Sequence, residues 1–189
     1  MSGNGPGFRP RGERDIHRGH IWRVVTATFE APDGTTFERD IVRSPGAVGI
    51  VPVLFDPEGA PSIVLLRQYR PPLDAEIIEI PAGMRDVEGE PPETTARREL
   101  AEEVGLSAGT LELLIVFHNS PGMTDATTHV FLATDLRSVP AEAHGPEEEA
   151  MVVVQVPLAE ALADVERGAI TDAKTIIGLL LTERRLSSG

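Results

Sequence analysis

Glu99, Glu102 and Glu103 stand at i, i+3 and i+4 in the stretch Pro92-Glu93-Thr94-Thr95-Ala96-Arg97-Arg98-Glu99-Leu100-Ala101-Glu102-Glu103-Val104. In a helix that spacing puts three carboxylates on one face. Like charges held so close repel one another. A hard divalent cation removes that penalty, and carboxylate oxygens are the ligands Mg²⁺ prefers. Magnesium also keeps waters and takes phosphate oxygens from a substrate. The face therefore points to phosphate chemistry at a bound metal. The competing reading is a solvated acidic helix with an Arg98–Glu102 pair, and three glutamates alone would favour it.

The elements around this helix are legible. Ala96, Leu100 and Val104 recur every fourth residue, proline is tolerated at the helix start, and Gly105 sits where a left-handed cap belongs. Upstream, Ile21–Phe29 and Thr35–Val42 flank the turn Pro32-Asp33-Gly34 and read as a hairpin. Ala47–Phe55 and Ser62–Tyr69 are continuous apolar runs about Asp56-Pro57-Glu58-Gly59, as in a hairpin buried on both sides. Ala75–Pro81 is a short strand leading into a loop rich in glycine and acid. Strands are expected again at Leu111–His118, Thr128–Ala133 and Met151–Val156, a second helix over Pro157–Arg167, and a third from an N-cap at Thr171 to about Leu186. Residues 1–18, rich in Gly, Pro and Arg, read as a flexible tail. The expected division is a tail over 1–18, a hairpin element over 19–45 and a catalytic domain over 46–186. Strands in the middle with helices between and after imply an α+β fold, an α/β/α sandwich with a mixed central sheet.

Composition closes several doors. The 189 residues carry 30 acidic and 17 basic side chains, a net charge of −13, which argues against a general nucleic-acid binder. It also means that an anionic substrate must be met through cations. With no cysteine in the chain, disulfides, thiolate metal sites and cysteine nucleophiles are excluded. No apolar run approaches the ~20 residues that span a bilayer, and no membrane partner is expected. A soluble cytoplasmic protein is the expectation.

The whole string from Pro81 to Leu106 resembles the Nudix box, Gly-x5-Glu-x7-Arg-Glu-apolar-x-Glu-Glu-x-Gly-apolar. Glu90, Arg98, Glu99, Leu100, Glu102, Glu103, Gly105 and Leu106 all fall in register, a highly specific match. There is one departure. Gly83 lies seven positions before Glu90 instead of six, so Met84 fills the formal glycine slot, consistent with a one-residue loop insertion. Within this family the chain is similar to the ADP-ribose pyrophosphatase branch. The likeness rests on Gln68-Tyr69-Arg70, Glu79-Ile80-Pro81-Ala82-Gly83, Ser120-Pro121-Gly122-Met123-Thr124-Asp125 and Thr171-Asp172-Ala173-Lys174-Thr175.

That resemblance implies a Nudix fold with an N-terminal β-hairpin extension, and Mg²⁺ (Mn²⁺ as substitute) held by Glu99, Glu103, the Ala82 carbonyl and Glu102. The metal would polarise a pyrophosphate and activate water for attack on phosphorus, with Arg98 as an orienting residue. The branch's general base is a loop glutamate. Alignment on Met151-Val152-Val153 favours Glu147, then Glu148, within His144–Glu149. On the substrate side the resemblance implies Arg70 and Arg39 at phosphate, Pro121 as a marker of substrate class, Met84 beside the site, and Trp22 as a candidate stacking surface for adenine. It also implies a homodimer in which the hairpin crosses to a second subunit. His118 and His129 read as structural. The activity implied is hydrolysis of ADP-ribose to AMP and ribose 5-phosphate. Hydrolysis of another nucleotide sugar, of the GDP-mannose type, is the alternative, and a non-catalytic ADP-ribose sensor is a third reading.

Overall fold

The structure, a computed structural model, describes residues 7–141 and 150–188. It divides into two compact units. One comprises residues up to Gly46 together with His118–Thr127, and the other Ala47–Phe117 with Thr128 onward.

In the first unit β1 (Arg9–Arg18), β2 (Arg23–Glu30) and β3 (Thr36–Arg43) form an antiparallel sheet in that order. The β2–β3 hairpin closes where the turn chemistry predicts. Gly34 takes φ +85°, and Asp33 Oδ1 accepts from the Thr35 N–H at 2.9 Å. The tail expected over 1–18 differs from this arrangement, because Arg9–Arg18 pairs with β2 along its whole length. The strand left no apolar pattern because every one of its residues is exposed. Backbone pairing holds it, helped by Asp15 to Arg23 (2.7 Å) and Glu13 to Arg43 (2.7 Å). The segment His118–Thr127 joins this unit through a bridge between Val42 and Thr124. The second unit is therefore not the single run 46–186.

The second unit is a seven-stranded mixed sheet of β4 (Ala47–Phe55), β5 (Pro61–Arg70), β6 (Ala75–Glu79), β7 (Ala82–Met84), β8 (Leu106–His118), β9 (Thr127–Ser138) and β10 (Val152–Pro157). The main order is β10-β5-β4-β9-β8, with β4 parallel to β9 and antiparallel to its other partners. The unbroken apolar reading of β4 has a plain cause. Val48 and Ile50 pack with Ala96 and Leu100 of helix α1 (Pro92–Val104). Val51 and Val53 pack with Leu158, Ala161 and Leu179 of α2 (Leu158–Glu166) and α3 (Ala173–Ser187). Both faces of the strand are covered, as in a helix–sheet–helix sandwich.

Helix α1 has the predicted bounds, with Gly105 at φ +63° as its cap. Helix α3 is capped by Asp172, not by Thr171. The Asp172 carboxylate accepts from the Thr175 N–H at 2.9 Å, satisfying a donor that the first turn leaves open.

One topological detail positions the site. Strands β4 and β5 pair directly only over Val53–Phe55 and Pro61–Ile63. Beyond that, β6 pairs with β5 and β7 with β4. The linking residues Ile80 and Pro81 cross between them, and the Pro81 carbonyl accepts from the Ile50 N–H at 2.8 Å.

Candidate active site

Helix α1 buries Ala96 and Leu100 completely, which fixes its rotation about its own axis. With that stripe against the sheet, Glu99, Glu102 and Glu103 fall along its flank beside β7. Glu103 Oε2 accepts from the Ala82 N–H at 2.8 Å. Glu99, only 9% exposed, lies against Gly83. A methyl group built on Gly83 would sit 1.9 Å from the Glu99 carboxyl carbon, so the carboxylate can keep this position only beside a residue without a Cβ. The strand Ala82–Met84 and the acidic helix face are thus packed together through backbone and carboxylate.

Arg98 compensates the charge. Its Nη1 lies 2.8 Å from Glu99 Oε1 and 2.9 Å from Glu102 Oε2, and Nη2 lies 3.6 Å from Glu90. Among the described residues no three His, Asp or Glu side chains close on a common point as a ready metal cage. The donor set nevertheless suits a hard cation. It offers carboxylate oxygens only, beside backbone at Ala82, in the niche left by Gly83, with a guanidinium already showing that the face attracts positive charge. Glu99, Glu102, Glu103 and Ala82 all belong to the second unit.

Behind β7 lies a second charged cluster. Glu79, 2% exposed, accepts from Gln68 Nε2 at 2.8 Å, from Arg70 Nε at 3.1 Å and through a further short contact from Arg70 Nη2, and it pairs with Lys174 Nζ at 3.0 Å. The Glu79 carboxylate holds the Arg70 guanidinium above its ordinary basicity against the opposing effect of burial, with Glu103 and Asp172 adding to it. Arg70 opens onto a cleft also lined by Ile77, Thr171 and Asp172.

The remaining candidates lie in the first unit. Arg39 stacks over the Phe37 ring at 4.8 Å, and Phe37 stacks on Phe29 with centroids 5.6 Å apart. These three residues, with Pro121 and Met123, line one pocket. Trp22 is not among its lining residues and is 55% exposed. Met84 lies on β7, half-buried, opposite Ala47. Glu147 and Glu148 fall outside the described residues, as do His144 and Glu149.

Two features escaped the sequence reading. The Phe29–Phe37 pair was available from the hairpin register, since a turn over 31–35 sets these residues opposite each other. The Glu79–Lys174 contact spans the domain and left no local signal beyond Lys174 being the single lysine of the chain.

Comparison with known proteins places the chain in a family. The NUDIX domain family matches residues 43–177. The chain is 39% identical over 163 residues to the ADP-ribose pyrophosphatase of Bacillus subtilis (strain 168), covering 86% of this chain and 85% of that one. It is 38% identical to the ADP-ribose pyrophosphatase of Mycobacterium tuberculosis, covering 92% and 82%. A crystal structure described as an ADP compounds hydrolase superposes with a TM-score of 0.81 at 24% identity, over 96% of this chain and 95% of that one.

Proposed function

The chain belongs to the NUDIX family, and from that premise we propose that it hydrolyses the pyrophosphate of ADP-ribose to AMP and ribose 5-phosphate. The observation that carries this reading is the apposition of the Glu99–Glu103 face to β7, through the Ala82–Glu103 hydrogen bond and the close fit of Gly83 on Glu99. Glu99, Glu103 and the Ala82 carbonyl would hold Mg²⁺, with Glu102 as a further ligand. When bound, the ion supplies polarisation of the phosphate oxygens and a more acidic water.

The chain's own residues do the rest. Arg98 balances Glu99 and Glu102 and orients them. Arg70 offers a fixed guanidinium to a phosphate oxygen. One of the glutamates 147–149, Glu147 first and Glu148 next, takes the proton of the attacking water. Oxygen attacks phosphorus, the bridging P–O bond breaks, and the leaving phosphate carries its electrons away as the second product. The pocket of Phe29, Phe37, Arg39 and Pro121 supplies a flat aromatic and cationic surface suited to a nucleobase. It takes the stacking role first given to Trp22. The hairpin unit is proposed to mediate a homodimer.

The test is product analysis with ADP-ribose and Mg²⁺, alongside GDP-mannose and ADP-glucose as competitors. AMP and ribose 5-phosphate are expected, with turnover abolished by excess EDTA and lowered at least ~10²-fold in Glu99→Gln and Glu103→Gln. Unchanged catalysis in EDTA, or wild-type turnover in both variants, refutes the metal assignment. Faster hydrolysis of GDP-mannose replaces the substrate.

A further inference from the structure

Lys174 breaks a local rule. It occupies the second position of α3, where the helix dipole disfavours a cation, and its side chain is only 14% exposed. It persists there between two carboxylates, Glu79 at 3.0 Å and Asp172 at 3.1 Å. Asp172 also accepts from Thr175 Oγ1 at 2.6 Å, and Thr175 Oγ1 accepts from the Ile80 N–H at 2.9 Å. The start of α3 is therefore tied to two consecutive residues of the chain, Glu79 by charge and Ile80 by its amide, just before Pro81-Ala82-Gly83.

The consequence runs through Glu79. Its Oε2 receives Gln68 from β5 and Lys174 from α3, while Oε1 and Oε2 together hold the Nε and Nη2 of Arg70. A carboxylate pinned from two elements presents a rigid two-point dock for a guanidinium. Without Lys174 the dock keeps only Gln68, and Arg70 becomes as mobile as the carboxylate that holds it. We infer that Lys174 is a positioning residue which, acting through Glu79, fixes the Arg70 guanidinium at the mouth of the cleft for the substrate's phosphate. This rests on the reading of Arg70 given above, and it concerns a contact within the chain, not one between Lys174 and the substrate.

The experiment has a kinetic arm and a substrate-free arm. Kinetically, Lys174→Met should raise KM for ADP-ribose about tenfold with kcat within about threefold, since one contact to a charged group is lost from binding. Lys174→Arg should restore KM to within about twofold. Glu79→Gln should raise KM similarly, and the double variant Glu79→Gln/Lys174→Met should be no worse than the poorer single one, because both act on Arg70 along one path. The substrate-free arm follows the Arg70 Nε–H resonance, assigned by its loss in Arg70→Lys. Its exchange with water should quicken about tenfold in Lys174→Met, a change that general destabilisation would spread over other arginines as well. Should Lys174→Met not fold, Lys174→Gln carries the same comparison. An unchanged KM overturns the inference. So does a raised KM with the Arg70 resonance unaltered, or multiplying effects in the double variant, either of which would place Lys174 on the substrate itself. If the wild-type protein does not hydrolyse ADP-ribose, the functional reading fails, and the Arg70 resonance still decides whether Lys174 positions that side chain.

Discussion

The Ala82 N–H donates to Glu103 Oε2 at 2.8 Å across 21 residues of sequence. This bond joins the end of the acidic helix to the short strand Ala82–Met84 at the start of the box. It aligns a backbone strand with a carboxylate in one small volume, which is the arrangement a hard cation and a pyrophosphate would share.

Gly83→Ala tests how closely that strand must approach. The new methyl group would fall on the Glu99 carboxyl group, so either the carboxylate or the strand moves. Turnover with Mg²⁺ is expected to drop at least ~10²-fold for a shift of this order near the chemistry, with a stability cost of about 1–3 kcal/mol from overpacking. Rates within twofold of wild type would contradict the fit.

Phe37→Ala tests the pocket of the first unit. It removes the partner of Phe29 and the ring under Arg39. A KM for ADP-ribose raised about tenfold is expected from losing one aromatic stack, with kcat changed little. Initial rates over a range of substrate concentrations decide it, and an unaltered KM would remove this pocket from the substrate.

Leu100→Ala tests what fixes the helix. Leu100 is fully buried among Val48, Ile50, Phe131 and Ala133. Urea unfolding should show a loss of about 2–5 kcal/mol, as for other truncations of buried leucine.

His129→Asn tests a pH dependence. Burial, with Arg85 nearby, holds His129 below its ordinary value of 6.5, and its buried Nδ1 has no hydrogen-bond partner among the described residues. The unfolded chain therefore takes up this proton more readily than the folded one. The resulting stability is present above pH about 6.5 and is lost as pH falls through the lower folded value. Melting temperatures measured from pH 7.5 down to 5 should fall less steeply in His129→Asn than in the wild type. Parallel curves would show that His129 does not contribute.

Much of the fold was legible because its causes are local. The bounds of α1 follow from a proline start, a four-residue apolar repeat and a glycine cap, all within one helix. The hairpin follows from its turn, and the buried strands from their unbroken apolar runs. The strand over Arg9–Arg18 was not legible, since an exposed strand held by pairing and ion pairs carries no apolar period. The N-cap was misplaced by one residue because Thr171 and Asp172 are both good caps by type, and only side-chain geometry distinguishes them.

The sequence by itself determined which carboxylates share one flank of the helix. Helical spacing is fixed by 3.6 residues per turn, so Glu99, Glu102 and Glu103 had to share a flank once α1 formed. Tertiary structure alone decided what that flank meets. Ala82 with Glu103, Gly83 with Glu99, and Glu79 with Lys174 are separated by 21, 16 and 95 residues. No local rule brings such residues together. Their meeting depends on β4 and β5 parting to admit β6 and β7, and on the packing of α1 and α3 against opposite faces of β4.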